Sequence, residues 1–185
     1  MHFFFLSYLL DRTHPNKHIF NDRFFGHFLF KLFLTLILII LLMAKIFRKA
    51  VMAVIINDRN QILIGYSPRD KSFKFPQGGL EKNETIILGL QRELLEELNY
   101  ILQHKFIIEA YTEKINYPFP KNCHPIYKGQ ELRIVKIKHN ANANIIPQDD
   151  EFEKMLWIDP KEITNYNTEY RSEAYYQALI ICGLV

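Results

Sequence analysis

A chain of 185 residues with 23 Lys and Arg against 20 Asp and Glu carries a formal charge of only +3, too little for nonspecific coating of nucleic acid. Its two cysteines, Cys123 and Cys182, exclude a disulfide framework and read as free thiols of a reducing compartment. The length suits one domain with a substantial core, and there is no internal repeat, C-x-x-C pair or Walker-type loop.

The N-terminal third stands apart. Residues 32–44 (L-F-L-T-L-I-L-I-I-L-L-M-A) form an uncharged apolar run. A clean bilayer span needs about 20 apolar residues. Extending the run back to Phe24 reaches that length only by taking in His27 and Lys31. Arg23 and Lys31 precede it and Lys45, Arg48 and Lys49 follow, so charge sets no orientation. A signal segment fits poorly, because the run lies late and no A-x-A-like site follows. The favoured account begins the domain at Met43, with residues 1–42 belonging to a start site assigned too far upstream. The expected division is 1–42 as an apolar segment and 43–185 as the domain. A membrane anchor through residues 24–44 is the alternative.

Onward from Met43, Ala50–Asn57 reads as a buried strand and Gln61–Tyr66 as its hairpin partner across Asp58-Arg59-Asn60. Ser67–Ser72 is polar and turn-rich, Phe73-Lys74-Phe75 alternates as a short strand, and Pro76-Gln77-Gly78-Gly79 supplies a turn. A helix is predicted over Thr85–Leu98: no Pro, one Gly, and Ile86, Leu90 and Leu94 at four-residue steps, widened by Ile87, Leu95 and Leu98. Phe106–Tyr111, Leu132–Lys138 and Met155–Ile158 read as further strands. Between the first two, Asn116–Gly129, rich in Pro, Asn and aromatics, is predicted to be a substrate-facing loop. The C-terminal helix covers Tyr175–Leu184, with a start as early as Glu169. Interleaved strands and helices imply a mixed sheet between helical layers.

The chemistry sits on the first predicted helix of that domain. Glu93, Glu96 and Glu97 occupy i, i+3 and i+4, which puts three carboxylates on one face. Their mutual repulsion would be relieved by a hard divalent cation, which accepts carboxylate oxygens. By itself E-L-L-E-E is a solvated helix face. That reading gives way once Gly78, Glu84 and Arg92 stand in register with it.

From Gly78 to Tyr100 the chain reads G-G-L-E-K-N-E-T-I-I-L-G-L-Q-R-E-L-L-E-E-L-N-Y, which resembles the Nudix box of metal-dependent hydrolases. The resemblance implies an α/β/α sandwich with a mixed β-sheet between helices, and a pairing of Arg92 with Glu84 that holds the loop of Gly78 and Gly79 against the helix. Asn99 departs from the family's Gly and Tyr100 from its aliphatic residue. Asn is the best non-Gly residue for the left-handed turn needed there.

Other segments resemble the branch of bacterial RNA pyrophosphohydrolases and dinucleoside polyphosphate hydrolases. F-K-F-P-Q-G-G-L is similar to that branch's W-Q-F-P-Q-G-G-I, Phe47-Arg48 to its aromatic-arginine pair, and Tyr117-Pro118-Phe119-Pro120 to its Y-x-x-P element. Lys128-Gly129-Gln130, Glu151-Phe152-Glu153 ahead of Trp157-Ile158, and Tyr170-Arg171 with Tyr175 follow in the branch's order. The resemblance implies Glu93, Glu96 and Glu97, with Gly78, as the metal site, and Glu151 as a remote carboxylate that completes the catalytic set. It implies Arg48, assisted by Lys74, on substrate phosphates, and Phe73 and Tyr117 stacked on a base.

Each assignment has a plainer rival. Glu151 sits among Asp149, Asp150 and Glu153 as a solvated loop would, and Arg48 extends a basic flank. Lys74 could be merely exposed, and Phe73 and Tyr117 merely packed. Trp157 reads as core. The expected protein is a cytoplasmic, Mg2+-dependent hydrolase, with Mn2+ as a substitute ion, that removes pyrophosphate from 5′-triphosphorylated RNA ends. Dinucleoside polyphosphate hydrolysis is the alternative within the class, and a non-catalytic nucleotide sensor is the alternative outside it. No DNA partner is expected, and a membrane only if residues 24–44 act as an anchor.

Overall fold

The structure, a computed structural model, describes residues 22–43, 46–148 and 151–185. Residues 1–21 of the predicted N-terminal segment, and Asp149 and Asp150 beside Glu151, lie outside these. The chain divides into two compact units, Met1–Ala44 and Lys45–Val185. In the first, the apolar run belongs to helix α1, Asp22–Met43, whose side chains over residues 26–37 are exposed. Among the described residues no helix is long and apolar enough to cross a membrane.

The second unit is built around strand β1, Ile46–Ile56. Every residue from Ala50 to Ile56 is buried, as the unbroken apolar run requires of a strand covered on both faces. Period-2 alternation sends Ala50, Met52, Val54 and Ile56 to one side and Val51, Ala53 and Ile55 to the other. The first set packs with Tyr175, Ala178 and Leu179 of helix α3, Ser172–Ile181. The second packs with Leu90, Leu94 and Leu98 of helix α2, Ile86–Leu98. These two layers make the sandwich.

Around β1 the strands are β2 (Ile62–Ser67), β3 (Ser72–Lys74), β4 (Gln77–Gly79), β5 (Ile107–Pro118), β6 (Tyr127–Lys138) and β7 (Lys154–Ile158). The sheet runs β3-β2-β1-β6-β5, with β4 paired to β1 and β7 to β2. It is mixed, since β1 and β6 run parallel while the other pairs are antiparallel.

Three elements differ from expectation. The hairpin of β1 and β2 closes at Ile56 opposite Ile62, after which β2 leaves and β4 takes over that edge of β1. The predicted Gln77-Gly78-Gly79 turn is therefore a strand, flanked by hydrogen bonds from Ala53 N–H to Pro76 O (2.9 Å) and Leu80 N–H to Lys49 O (3.0 Å). Sequence composition signals a turn there because glycine is a poor strand former; an unfilled edge of a buried strand overrides it. Strands β5 and β6 also run on into both ends of the predicted Asn116–Gly129 loop. Much of β5 is exposed and polar, so it carries no burial pattern for the eye to follow. The C-terminal helix begins at Ser172, behind a 3-10 turn over Glu169–Arg171.

Helix α2 matches its predicted span. Thr85 caps its N-terminus by accepting from Leu88 N–H at 3.3 Å. Asn99 ends it in the left-handed region, φ 48° and ψ 35°, with Asn99 N–H on Leu95 O and Tyr100 N–H on Leu94 O. Tyr100 is buried and its hydroxyl accepts from Asn140 N–H, so the ring completes the core behind the turn. Leu95, predicted within the apolar stripe, is exposed instead.

The left-handed conformation costs a β-carbon roughly 1–2 kcal/mol that Asn and Gly largely avoid. Asn99→Ala should therefore lower stability by about 1 kcal/mol, while Asn99→Gly should stay within a few tenths of wild type. Urea midpoints of the three proteins test this.

Candidate active site

Burying the Leu90, Leu94 and Leu98 stripe brings the neighbouring face of α2, with Glu93 and Glu97, down onto β4. A cavity of about 570 Å³ opens beside this contact. Glu93, Glu96, Glu97, Glu151, Arg48, Lys74, Gly78, Gly79 and Tyr117 all line it.

The paired glycines permit close approach. A β-carbon on Gly78 would collide with the Glu93 carboxylate, and one on Gly79 with the Arg48 guanidinium. An acid and a base thus lie directly over the β4 backbone. Glu97 is deeper, 5% exposed, and accepts Gln77 N–H at 3.1 Å. Burial pushes its carboxyl well above the ordinary value of 4.5; the Lys74 charge opposes that, while Glu151 and Glu93 reinforce it. Burial also raises Glu93, against the pull of its Arg92 hydrogen bond.

Arg92 ties the loop to the helix. Its Nε and Nη2 grip Glu84 Oε1 and Oε2, each at 3.0 Å, and Nη2 also donates to Gly79 O at 2.9 Å. Its Nη1 reaches Glu93 Oε1 at 2.8 Å and Glu96 Oε2 at 3.1 Å. The Arg92 hydrogen bond, with the Glu81 N–H, holds the Glu84 carboxyl below its ordinary value. Glu96, its side chain 58% exposed, occupies the outer rim. The three helix carboxylates are therefore not drawn to a single point, and among the described residues no group of three or more His, Cys, Asp or Glu is gathered as a metal cluster. Arg92 bridges Glu93 and Glu96 through one nitrogen, and Lys74 pairs with Glu151.

The remote carboxylate is present in the cavity. Glu151 pairs with Lys74 and accepts Arg69 Nη2 at 3.0 Å. Lys74 is not the exposed lysine its plainer reading expects: it is 3% exposed, with Nζ 5.0 Å from the centroid of the Phe152 ring.

The two predicted stacking residues do not present free faces. Phe73 does not line the cavity but packs edge-on to Tyr66 and Tyr166, at centroid distances of 5.3 and 5.0 Å. Alternation along β3 points it away from the side that Lys74 faces. Tyr117 lines the cavity but is 3% exposed, fixed in an amide-hydroxyl network. Gln77 Nε2 donates to Tyr117 Oη at 2.9 Å and Gln130 Oε1 at 3.0 Å, Tyr117 Oη donates to Gln130 Oε1, and Tyr175 Oη donates to Gln77 Oε1 at 3.0 Å. The accessible rings are instead Phe119, His124 and Tyr170 at the cavity's edge.

Arg69 and Asp70 were not singled out from the sequence, and Arg171 figured there only within a motif, with no role. Arg171 is buried, donates to Asp70 Oδ2 at 2.8 Å, and lies 4.3 Å from the Tyr170 ring centroid. The Y-R pair near the C-terminus was its only signal; Arg69 and Asp70 sit in a segment legible only as a turn.

The donor set suits a hard divalent cation. Glu93 offers carboxylate oxygens at the Gly78 backbone and Glu97 at that of Gln77, both lining one cavity.

A model of the NUDIX domain matches residues 46–179. The chain belongs to the Nudix family. An RNA pyrophosphohydrolase of Campylobacter jejuni is 32% identical over 119 residues, which cover 61% of this chain and 74% of that protein. Among solved structures, the Escherichia coli dihydroneopterin triphosphate pyrophosphohydrolase superposes with a TM-score of 0.60 at 14% identity, covering 73% of this chain and 95% of that one. A bifunctional NMN adenylyltransferase/ADP ribose pyrophosphatase from Francisella tularensis, complexed with AMP and a Mn ion, gives 0.55 at 21% identity, covering 75% and 42%. The protein is thus a Nudix hydrolase of phosphoanhydride bonds on the α/β/α sandwich.

Because the folded Glu97 carboxyl holds its proton more tightly than the unfolded chain does, its contribution is full below pH 4.5 and is lost as pH rises through the raised value. Without divalent cations, Glu97→Gln should therefore melt a few degrees above wild type at neutral pH, a kcal/mol being worth roughly 2–4 °C at this size. The gain should vanish in melts below pH 4.5.

Proposed function

We propose that this Nudix hydrolase is a Mg2+-dependent pyrophosphohydrolase that removes pyrophosphate from 5′-triphosphorylated RNA ends, with Mn2+ able to replace Mg2+. The observation that carries the reading is a polar cavity lined together by acids (Glu93, Glu97, Glu151), guanidinium groups (Arg48, Arg69, Arg171) and aromatic rings (Phe119, Tyr170). Its volume is ample for a triphosphate and part of a nucleoside. The likeness to the Campylobacter RNA pyrophosphohydrolase supports the same substrate class.

Bound at Glu93, Glu96 and Glu97 beside Gly78, the divalent cation would neutralise phosphate charge and acidify a water. Arg48, lying over Gly79, offers a bidentate grip on phosphate oxygens. Glu93, Glu96, Glu97 and Glu151 all line the cavity and supply the carboxylates that would orient the attacking water and accept its proton. Water oxygen bonds to phosphorus, the phosphoanhydride P–O bond breaks, and pyrophosphate leaves a monophosphorylated end. Phe119 and Tyr170, rather than Phe73 and Tyr117, are the rings in place for a base. Retention of Glu93, Glu96, Glu97 and Glu151 together favours catalysis over nucleotide sensing. We assign this activity to residues 43–185 and to the cytoplasm.

With Mg2+ and an equimolar mixture of triphosphorylated RNA and diadenosine tetraphosphate, the enzyme is expected to consume the RNA first. Preferential cleavage of the dinucleotide would transfer the assignment to that substrate. In the same assay Glu97→Gln should lose at least about 100-fold in turnover, and a variant retaining wild-type rates would refute its metal role.

A further inference from the structure

In F-K-F-P-Q-G-G-L, Lys74 places a positive charge at the acidic site. Strand β3 presents that charge inward: Lys74 is buried and its ammonium pairs with Glu151 while lying over the Phe152 ring. Phe152 is itself fully buried, so the ammonium has little water around it. An ammonium in such a place persists only by being paired. Its charge also acts on Glu97 and on Asp70, which places it among three carboxylates.

We propose that Lys74 is a resident cation of this site, holding with Glu151 a position that an incoming divalent cation must contest. The inference rests on the metal reading above. The metal-free site is partly neutralised by the protein's own charge. Occupancy by a divalent ion at Glu97 and its helix neighbours is correspondingly weakened by like-charge repulsion from Lys74. Lys74 thus acts as a positioning residue that sets metal demand, and it reaches substrate phosphates only indirectly.

The test counts free Mn2+ by electron paramagnetic resonance during titration of the full chain. Lys74→Gln should bind Mn2+ about tenfold more tightly than wild type, at a site abolished by Glu97→Gln, whereas Lys74→Arg should stay close to wild type. In metal-free melts Lys74→Gln should unfold at a lower temperature and recover when Mn2+ is added; a merely structural lysine would give a loss that Mn2+ does not restore. Should Lys74→Gln fail to fold, Lys74→Met, which keeps the aliphatic stem over Phe152, carries the same expectations. Wild-type affinity in a folded Lys74→Gln protein, at a site still sensitive to Glu97→Gln, would overturn the resident-cation role while leaving the metal site standing. Absence of Mn2+ binding by every protein, wild type included, would remove both.

Discussion

The buried carboxylate of Glu97, resting on the Gln77 backbone N–H, couples the fold of this protein to its chemistry. Helix α2 cannot pack its Leu90, Leu94 and Leu98 stripe on Val51, Ala53 and Ile55 without also carrying Glu93 and Glu97 out of water, because all five lie on adjoining faces of the same turns. Each buried leucine contributes about 1.5–3 kcal/mol, which offsets the desolvation of the acids. Glycine at Gly78 and Gly79 leaves room for the charges to settle on the β4 backbone. The apolar side of the helix holds its acidic side in an unfavourable place, and that is what makes the place receptive to cations.

Around this contact the charges alternate. Arg171, Asp70, Arg69, Glu151 and Lys74 follow one another from the β2–β3 connection to the start of α3. Arg92 serves Glu84, Glu93 and Glu96 on the other side. At its buried members, Lys74 and Arg171, such ordering matters more than it does at exposed Arg69, because surface pairs contribute little. Beneath the cavity, Gln77, Tyr117, Gln130 and Tyr175 join β4, β5, β6 and α3 through hydroxyl and amide groups. With both ends of Gln77 satisfied, the network gives the site a floor of defined shape. Burial keeps the Tyr117 and Tyr175 hydroxyls protonated, so they stay neutral donors.

The same packing explains which expectations changed. Tyr117 was a candidate base-stacking ring through the resemblance of Tyr117-Pro118-Phe119-Pro120 to the branch's Y-x-x-P element. Its hydroxyl is instead committed to amides, and its ring packs edge-on to Phe119 and tilted against Tyr170. Phe73 is turned to the α3 face by the strand period that turns Lys74 to the α2 face. Arg69 and Asp70 gain a place at the cavity through pairings with Glu151 and Arg171, partners about 80 and 100 residues away in sequence.

What the sequence alone determined was local. The acids of α2, the Thr85 and Asn99 ends and the run of β1 were readable, since helix and strand periods specify which neighbours share a face, whereas the fork from Arg92 to Glu84 was implied by the family resemblance alone. Only the tertiary structure decided that Gln77–Gly79 is a strand, that Arg92 bridges Glu93 and Glu96 while Lys74 is sunk beside Glu151, and that Phe119 and Tyr170 line the cavity. Those meetings follow from sheet register and from which edge of a buried strand is left to fill, and neither is encoded in the spacing of nearby residues.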